Sequence, residues 1–86
     1  MNSNPIRLSV HASSYISKRG FTEEEVKETI RTGEWKPAEL QRLEAVMDFP
    51  YAKEWNGVYY ATKRVRPIFV EETTEIVVVT AYTYYF

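Results

Sequence analysis

His11 is the only histidine in the chain, and imidazole is the one side chain whose ordinary pKa, about 6.5, lies near neutrality. It is therefore the first candidate for general acid–base work, an effect worth roughly 10²–10⁴-fold in rate. The competing role is structural, with His11 bonding to backbone at a helix start. Cations come next. Lys63, Arg64 and Arg66 sit in one β-rich stretch, where strand parity puts Lys63 on the face opposite the two arginines. Arginine grips phosphate with a planar fork and lysine with a point charge. All three can equally be solvated charges that keep a strand edge from aggregating. Thr80, Tyr82 and Tyr84 share one strand face by the same parity. A tyrosine there can stack on a nucleobase, worth roughly 1–3 kcal/mol, or donate a proton, or simply pack. Arg19 either anchors phosphate or caps the last carbonyls of its helix.

The elements that hold these groups are legible in outline. Ile6 to Val10 reads as a short strand that tolerates Pro5 at its start. His11 to Arg19 reads as a helix ending at Gly20. On it, His11, Tyr15, Lys18 and Arg19 fall within an arc about 100° wide. Thr22 with Glu25 forms a capping box, and the acidic run Glu23-Glu24-Glu25 suits the positive end of a helix running to about Thr32. Those glutamates therefore have a structural explanation. Residues 38–48 are ambiguous: propensity favours helix, whereas alternation over Arg42 to Phe49 favours strand. Asn56-Gly57 marks a hairpin turn, followed by a strand from Val58 to Val70, a polar turn, and a central strand from Ile76 to Phe86.

Composition bounds the function. Eighty-six residues make one domain, residues 1–86. The 44% hydrophobic and 27% charged fractions are those of a globular chain rather than a disordered one. The 15% aromatic share, with seven tyrosines, suggests that some surface meets a partner. No cysteine and a single histidine leave no thiolate chemistry, no disulfide and no multi-histidine metal site, so neither cofactor nor metal is expected. Met1 to Pro5 lacks the pattern of a signal peptide, and no apolar run approaches the roughly 20 residues of a membrane span. A cytoplasmic protein without membrane contact is the expectation. The net charge of −1 counts against indiscriminate nucleic-acid coating, although residues 53–66 carry a local cationic excess.

Several short motifs, in order and spacing, resemble a domain family of unassigned function allied to the RelE/ParE/BrnT-type toxins of toxin–antitoxin systems. They are His11-Ala12, then Lys18-Arg19-Gly20-Phe21-Thr22 with Glu25-Val26, and Gly33-Glu34-Trp35-Lys36-Pro37-Ala38. Glu54-Trp55-Asn56-Gly57, Tyr60-Ala61-Thr62-Lys63, Pro67-Ile68-Phe69-Val70-Glu71-Glu72 and the closing Val77 to Phe86 follow. The resemblance implies an α+β, RelE-like fold: two N-terminal helices packed on one face of a mostly antiparallel four-stranded sheet, with the other face open. It implies a metal-independent ribonuclease acting on mRNA at the ribosome, or a non-catalytic ParE-like inhibitor or partner-binding module on the same scaffold. Under the first reading His11, Lys63 and Tyr82 are catalytic, and Arg19, Arg64 and Thr80 bind RNA phosphate. Tyr15 stands where members often carry arginine, and Ala81 where they carry a valine-like residue, so one phosphate ligand is missing. The expected partners are RNA, a protein antitoxin, or a second copy joined through the C-terminal strand, whose Tyr82, Tyr84, Tyr85 and Phe86 crowd the chain end.

Overall fold

In the computed structural model, which describes residues 4–86, the first strand β1 (Ile6–Leu8) leads directly into helix α1 (Val10–Ser14). The first three residues of the Met1–Pro5 segment, considered above for targeting signals, lie outside the described residues. Ser9 starts α1: its hydroxyl accepts from Ala12 N at 3.1 Å, satisfying one of the free amides of the first turn. The single helix expected over 11–19 is two. Tyr15, at φ −100° and ψ 0°, interrupts it, and α2 (Ile16–Arg19) follows. Gly20 then ends the segment in the left-handed region (φ 81°), its N–H bonding Ile16 O at 2.8 Å. The capping box is present in both directions, with Glu25 N on Thr22 Oγ1 at 3.0 Å and Thr22 N on Glu25 Oε1 at 2.9 Å. It opens α3 (Glu23–Thr32).

The sheet corrects the expected fold. Six strands form it, not four, and three helices cover one face, not two. After α3 come β2 (Lys36–Pro37), a short 3-10 turn (Glu39–Gln41), β3 (Leu43–Glu44), β4 (Met47–Trp55), β5 (Val58–Glu71) and β6 (Ile76–Tyr85). The order is β1-β6-β5-β3-β2, with β4 also on β5, and β1 runs parallel to β6 through Ile6–Ile76, Arg7–Val77 and Leu8–Val78. Two of the added strands are two residues long, below what periodicity detects.

The stretch over 42–49, ambiguous in the sequence between helix and strand, is strand, and it is divided for a physical reason. Pro67 lies opposite it on β5 and accepts from Ala45 N at 3.4 Å, but it has no N–H to return. The ladder therefore breaks there into β3 above and β4 below. At the far end Asn56 (φ 52°) and Gly57 (φ 82°) make the expected tight turn between β4 and β5.

One core joins helices and sheet. Phe21, Val26 and Ile30 pack on Val65, Phe69, Ile76, Val78 and Ala81. Trp35 meets Phe69 edge-on at 5.0 Å and places its indole N–H on Ile30 O at 2.7 Å, so its polar tip is satisfied. A bulge where β5 meets β6, between Ile68 and Phe69, skips Val79 in the register. It decides which side chains reach the open face. Ile76 and Val78 point to the helices, yet after the skipped residue so does Ala81, leaving Thr80, Tyr82 and Tyr84 on the uncovered side.

Candidate functional site

The open face of β6 carries alternating rings and cations. The Arg19 guanidinium lies 3.9 Å from the centre of the Tyr15 ring and 4.8 Å from that of Tyr82. Arg66 lies 4.8 Å from Tyr82 and 6.0 Å from Tyr84. Contacts of this kind contribute about 0.5–1 kcal/mol each at exposed sites. They fix the orientation of two arginines that would otherwise sweep through solvent. His11 meets Tyr15 edge-on at 4.9 Å, so the helix break at Tyr15 leaves the His11–Tyr15–Arg19 group intact.

Arg19 reaches the open face around a free strand edge. Among the described residues no strand pairs with β6 beyond Val78 on the β1 side, and Ala81 O is available there. Arg19 Nη1 donates to that carbonyl at 2.7 Å and to Thr80 Oγ1 at 3.2 Å. A guanidinium has five N–H donors. The two on Nη1 are engaged here, which leaves Nη2 and Nε for a ligand.

These groups border two adjoining depressions. The first, of about 500 Å³, is bounded by Ser9, His11, Arg19, Arg42, Val79, Thr80 and Tyr82. The second, of about 520 Å³, shares Arg42, Thr80 and Tyr82 with it and adds the 37–40 segment, Glu44, Arg66 and Ile68. Of the residues singled out in the sequence, His11, Arg19, Thr80 and Tyr82 come together at the first depression.

Lys63 does not join them. It lies on the helix-covered face, 6% exposed, with its Nζ 2.9 Å from Glu25 Oε2 and 2.9 Å from Gly20 O. Parity did separate it from Arg64 and Arg66, but with the arginines on the open side. Arg64 lies beyond the depressions. It forms a two-pronged pair with Asp48 at 2.7 and 3.0 Å and covers the Phe86 ring at 5.0 Å. The hydrogen bond from Arg64 holds the Asp48 carboxyl below its ordinary range.

Arg42 was not singled out from the sequence, and the role of Arg66 was left open. Arg42 has no side-chain ion pair or hydrogen bond among the described residues, and it closes the first depression from the 3-10 turn. It lies in the segment whose helix or strand character was ambiguous, so its direction was not readable. Arg66 was read as either a phosphate ligand or an edge-strand charge; its placement between Tyr82 and Tyr84 depends on the β5–β6 register.

Among the described residues there is no group of three or more His, Cys, Asp or Glu side chains able to hold a metal ion, and no helix is long and apolar enough to cross a membrane. Comparison of the chain with family models, with curated proteins and with solved structures finds no match in any of the three.

Proposed function

We propose that the protein binds single-stranded RNA on the open face of its sheet and cleaves it without a metal, as a toxin-type domain. The observation that carries this reading is the convergence of Arg19 and Arg42 with His11, Thr80 and Tyr82 around one depression. Cations oriented by aromatic rings on an exposed sheet face suit a phosphate chain whose bases stack beside it. The resemblance to RelE/ParE/BrnT-type toxins supports this reading through the sequence motifs alone, since the six-stranded mixed sheet departs from the fold it implies.

In metal-free cleavage the ribose 2′-hydroxyl attacks its own 3′-phosphate. A base removes its proton, the 5′-oxygen leaves with another, and a 2′,3′-cyclic phosphate remains. His11 exchanges the proton in this scheme. Arg19, through Nη2 and Nε, and Arg42 neutralise the charge that builds on the phosphoryl oxygens. Tyr82 bounds the site and offers its hydroxyl to the leaving oxygen. Lys63 has no part in it.

The test is cleavage of a labelled single-stranded RNA by purified protein in excess EDTA. Cleavage should persist, and His11→Ala should lower its rate by roughly 10²–10⁴-fold. Loss of cleavage in EDTA overturns the mechanism.

One observation favours a second, non-catalytic reading. Tyr82, Tyr84 and Phe86 are 36%, 44% and 54% exposed in a row along β6 and the residue after it, and exposed aromatic rows commonly mark protein interfaces. Growth arrest on expression with RNA intact, and a dimer or complex disrupted by removing Tyr84 to Phe86, would support a partner-binding module instead.

A further inference from the structure

The two depressions differ in charge, and the difference divides the work between them. The first has His11 and Arg19 at its border and no carboxylate. The second has Glu39 and Glu44 beside Arg42 and Arg66. A phosphate is repelled by the carboxylates of the second, so an anion belongs in the first. What fits the second is a neutral ligand with donors on one edge and acceptors on another.

We propose that the second depression is a nucleobase pocket selective for guanine, a refinement that rests on the RNA-binding reading above. Glu44 Oε1 accepts from Arg66 Nη1 at 3.1 Å, which leaves Oε2 and the second lone pair of Oε1 as acceptors. The two side chains are 23% and 30% exposed, so the pair is partly withdrawn from water and its hydrogen bonds discriminate more than they would in full solvent. Guanine presents adjacent N1–H and N2–H donors to a carboxylate, while its O6 accepts from an arginine, here Arg66 through Nη2. Adenine and cytosine each place a ring-nitrogen lone pair where the carboxylate needs a donor. Uracil has one N–H, between two carbonyl oxygens that the carboxylate repels. The Tyr82 ring and Leu40, which is 78% exposed on the 3-10 turn, border the same space and give a planar base apolar walls. Because Arg42, Thr80 and Tyr82 are common to both depressions, a base in the second and its own phosphate in the first fit one nucleotide.

The experiment is fluorescence anisotropy with three uncleavable 2′-fluoro hexamers, all-uridine, one with a single central guanosine, and one with a single central adenosine. The guanosine hexamer should bind roughly tenfold more tightly than the other two, the scale of one good two-pronged base contact. In Glu44→Gln, which keeps the side-chain shape, that preference should fall below about twofold. Equal binding of all three hexamers, or a guanosine preference that survives Glu44→Gln, overturns the guanine pocket while RNA binding stands. Failure to bind any hexamer removes the RNA-binding reading and this inference with it.

Discussion

At the scale of single residues, the sharpest contrast is between His11 and Lys63, both read from the sequence as chemical groups. His11 is exposed at the rim of the open-face depression. Lys63 instead spans Glu25 and Gly20 O beneath the helices, with its Nζ 5.3 Å from the centre of the Tyr51 ring. Residue type alone does not separate these outcomes, because a lysine on a strand serves equally as a phosphate ligand or as the buried partner of a carboxylate. What decides is that Glu25, legible as the far half of the capping box, has a second carboxylate oxygen to give. Removing one member of a buried pair strands the other, a loss of about 3–5 kcal/mol when burial is complete. Glu25 keeps a 20% exposed side chain, so Lys63→Met should lose about 2–4 kcal/mol. For a domain this small that lowers Tm by on the order of 10–30 °C, readable by circular dichroism. A variant with unchanged Tm but no cleavage would return Lys63 to the chemistry.

At the scale of elements, capping box, hairpin turn and long β5 and β6 were readable because each has a local signature. The division of the first helix at Tyr15, the two-residue strands and the ladder break at Pro67 were not, since they depend on what lies across the sheet. The end of β6 shows the same dependence. Tyr85 turns under the helices, stacks on Trp55 at 5.0 Å and donates its hydroxyl to Arg19 O at 3.0 Å. Gly20 is required beside it: besides its positive φ, a Cβ there would run into the Tyr85 hydroxyl and come within 2.8 Å of the Trp55 ring. Burial, with smaller contributions from Tyr51 and Glu25, pushes the Tyr85 phenol up to about 12 from the usual 10.0. A raised folded pKa means that the neutral phenol is favoured by folding. Its contribution is complete below pH about 10 and is lost as pH rises through 12. Denaturant midpoints should therefore fall across that window. Tyr85→Phe should flatten the fall, while losing about 0.5–1.5 kcal/mol at neutral pH with the hydrogen bond to Arg19 O. An equal alkaline fall in both proteins would show that other groups cause it.

At the scale of the whole molecule, one face of the sheet is closed by three helices and the other presents the depressions. The net charge of −1 argues against a surface that coats nucleic acid broadly. A few arginines at one depression give a weak but specific electrostatic signature, and salt dependence reads it directly. Each phosphate neutralised on a single strand contributes a slope of roughly −0.7 in log K against log salt. With Arg19 and Arg42 as the phosphate ligands, an uncleavable RNA hexamer should bind with a slope near −1.4, about twice that single-phosphate value. Arg42→Ala, whose side chain has no ion pair or hydrogen bond among the described residues to lose, should fold normally and bring the slope to about −0.7. A slope near zero, or one unchanged in Arg42→Ala, would contradict the assignment of this face to RNA.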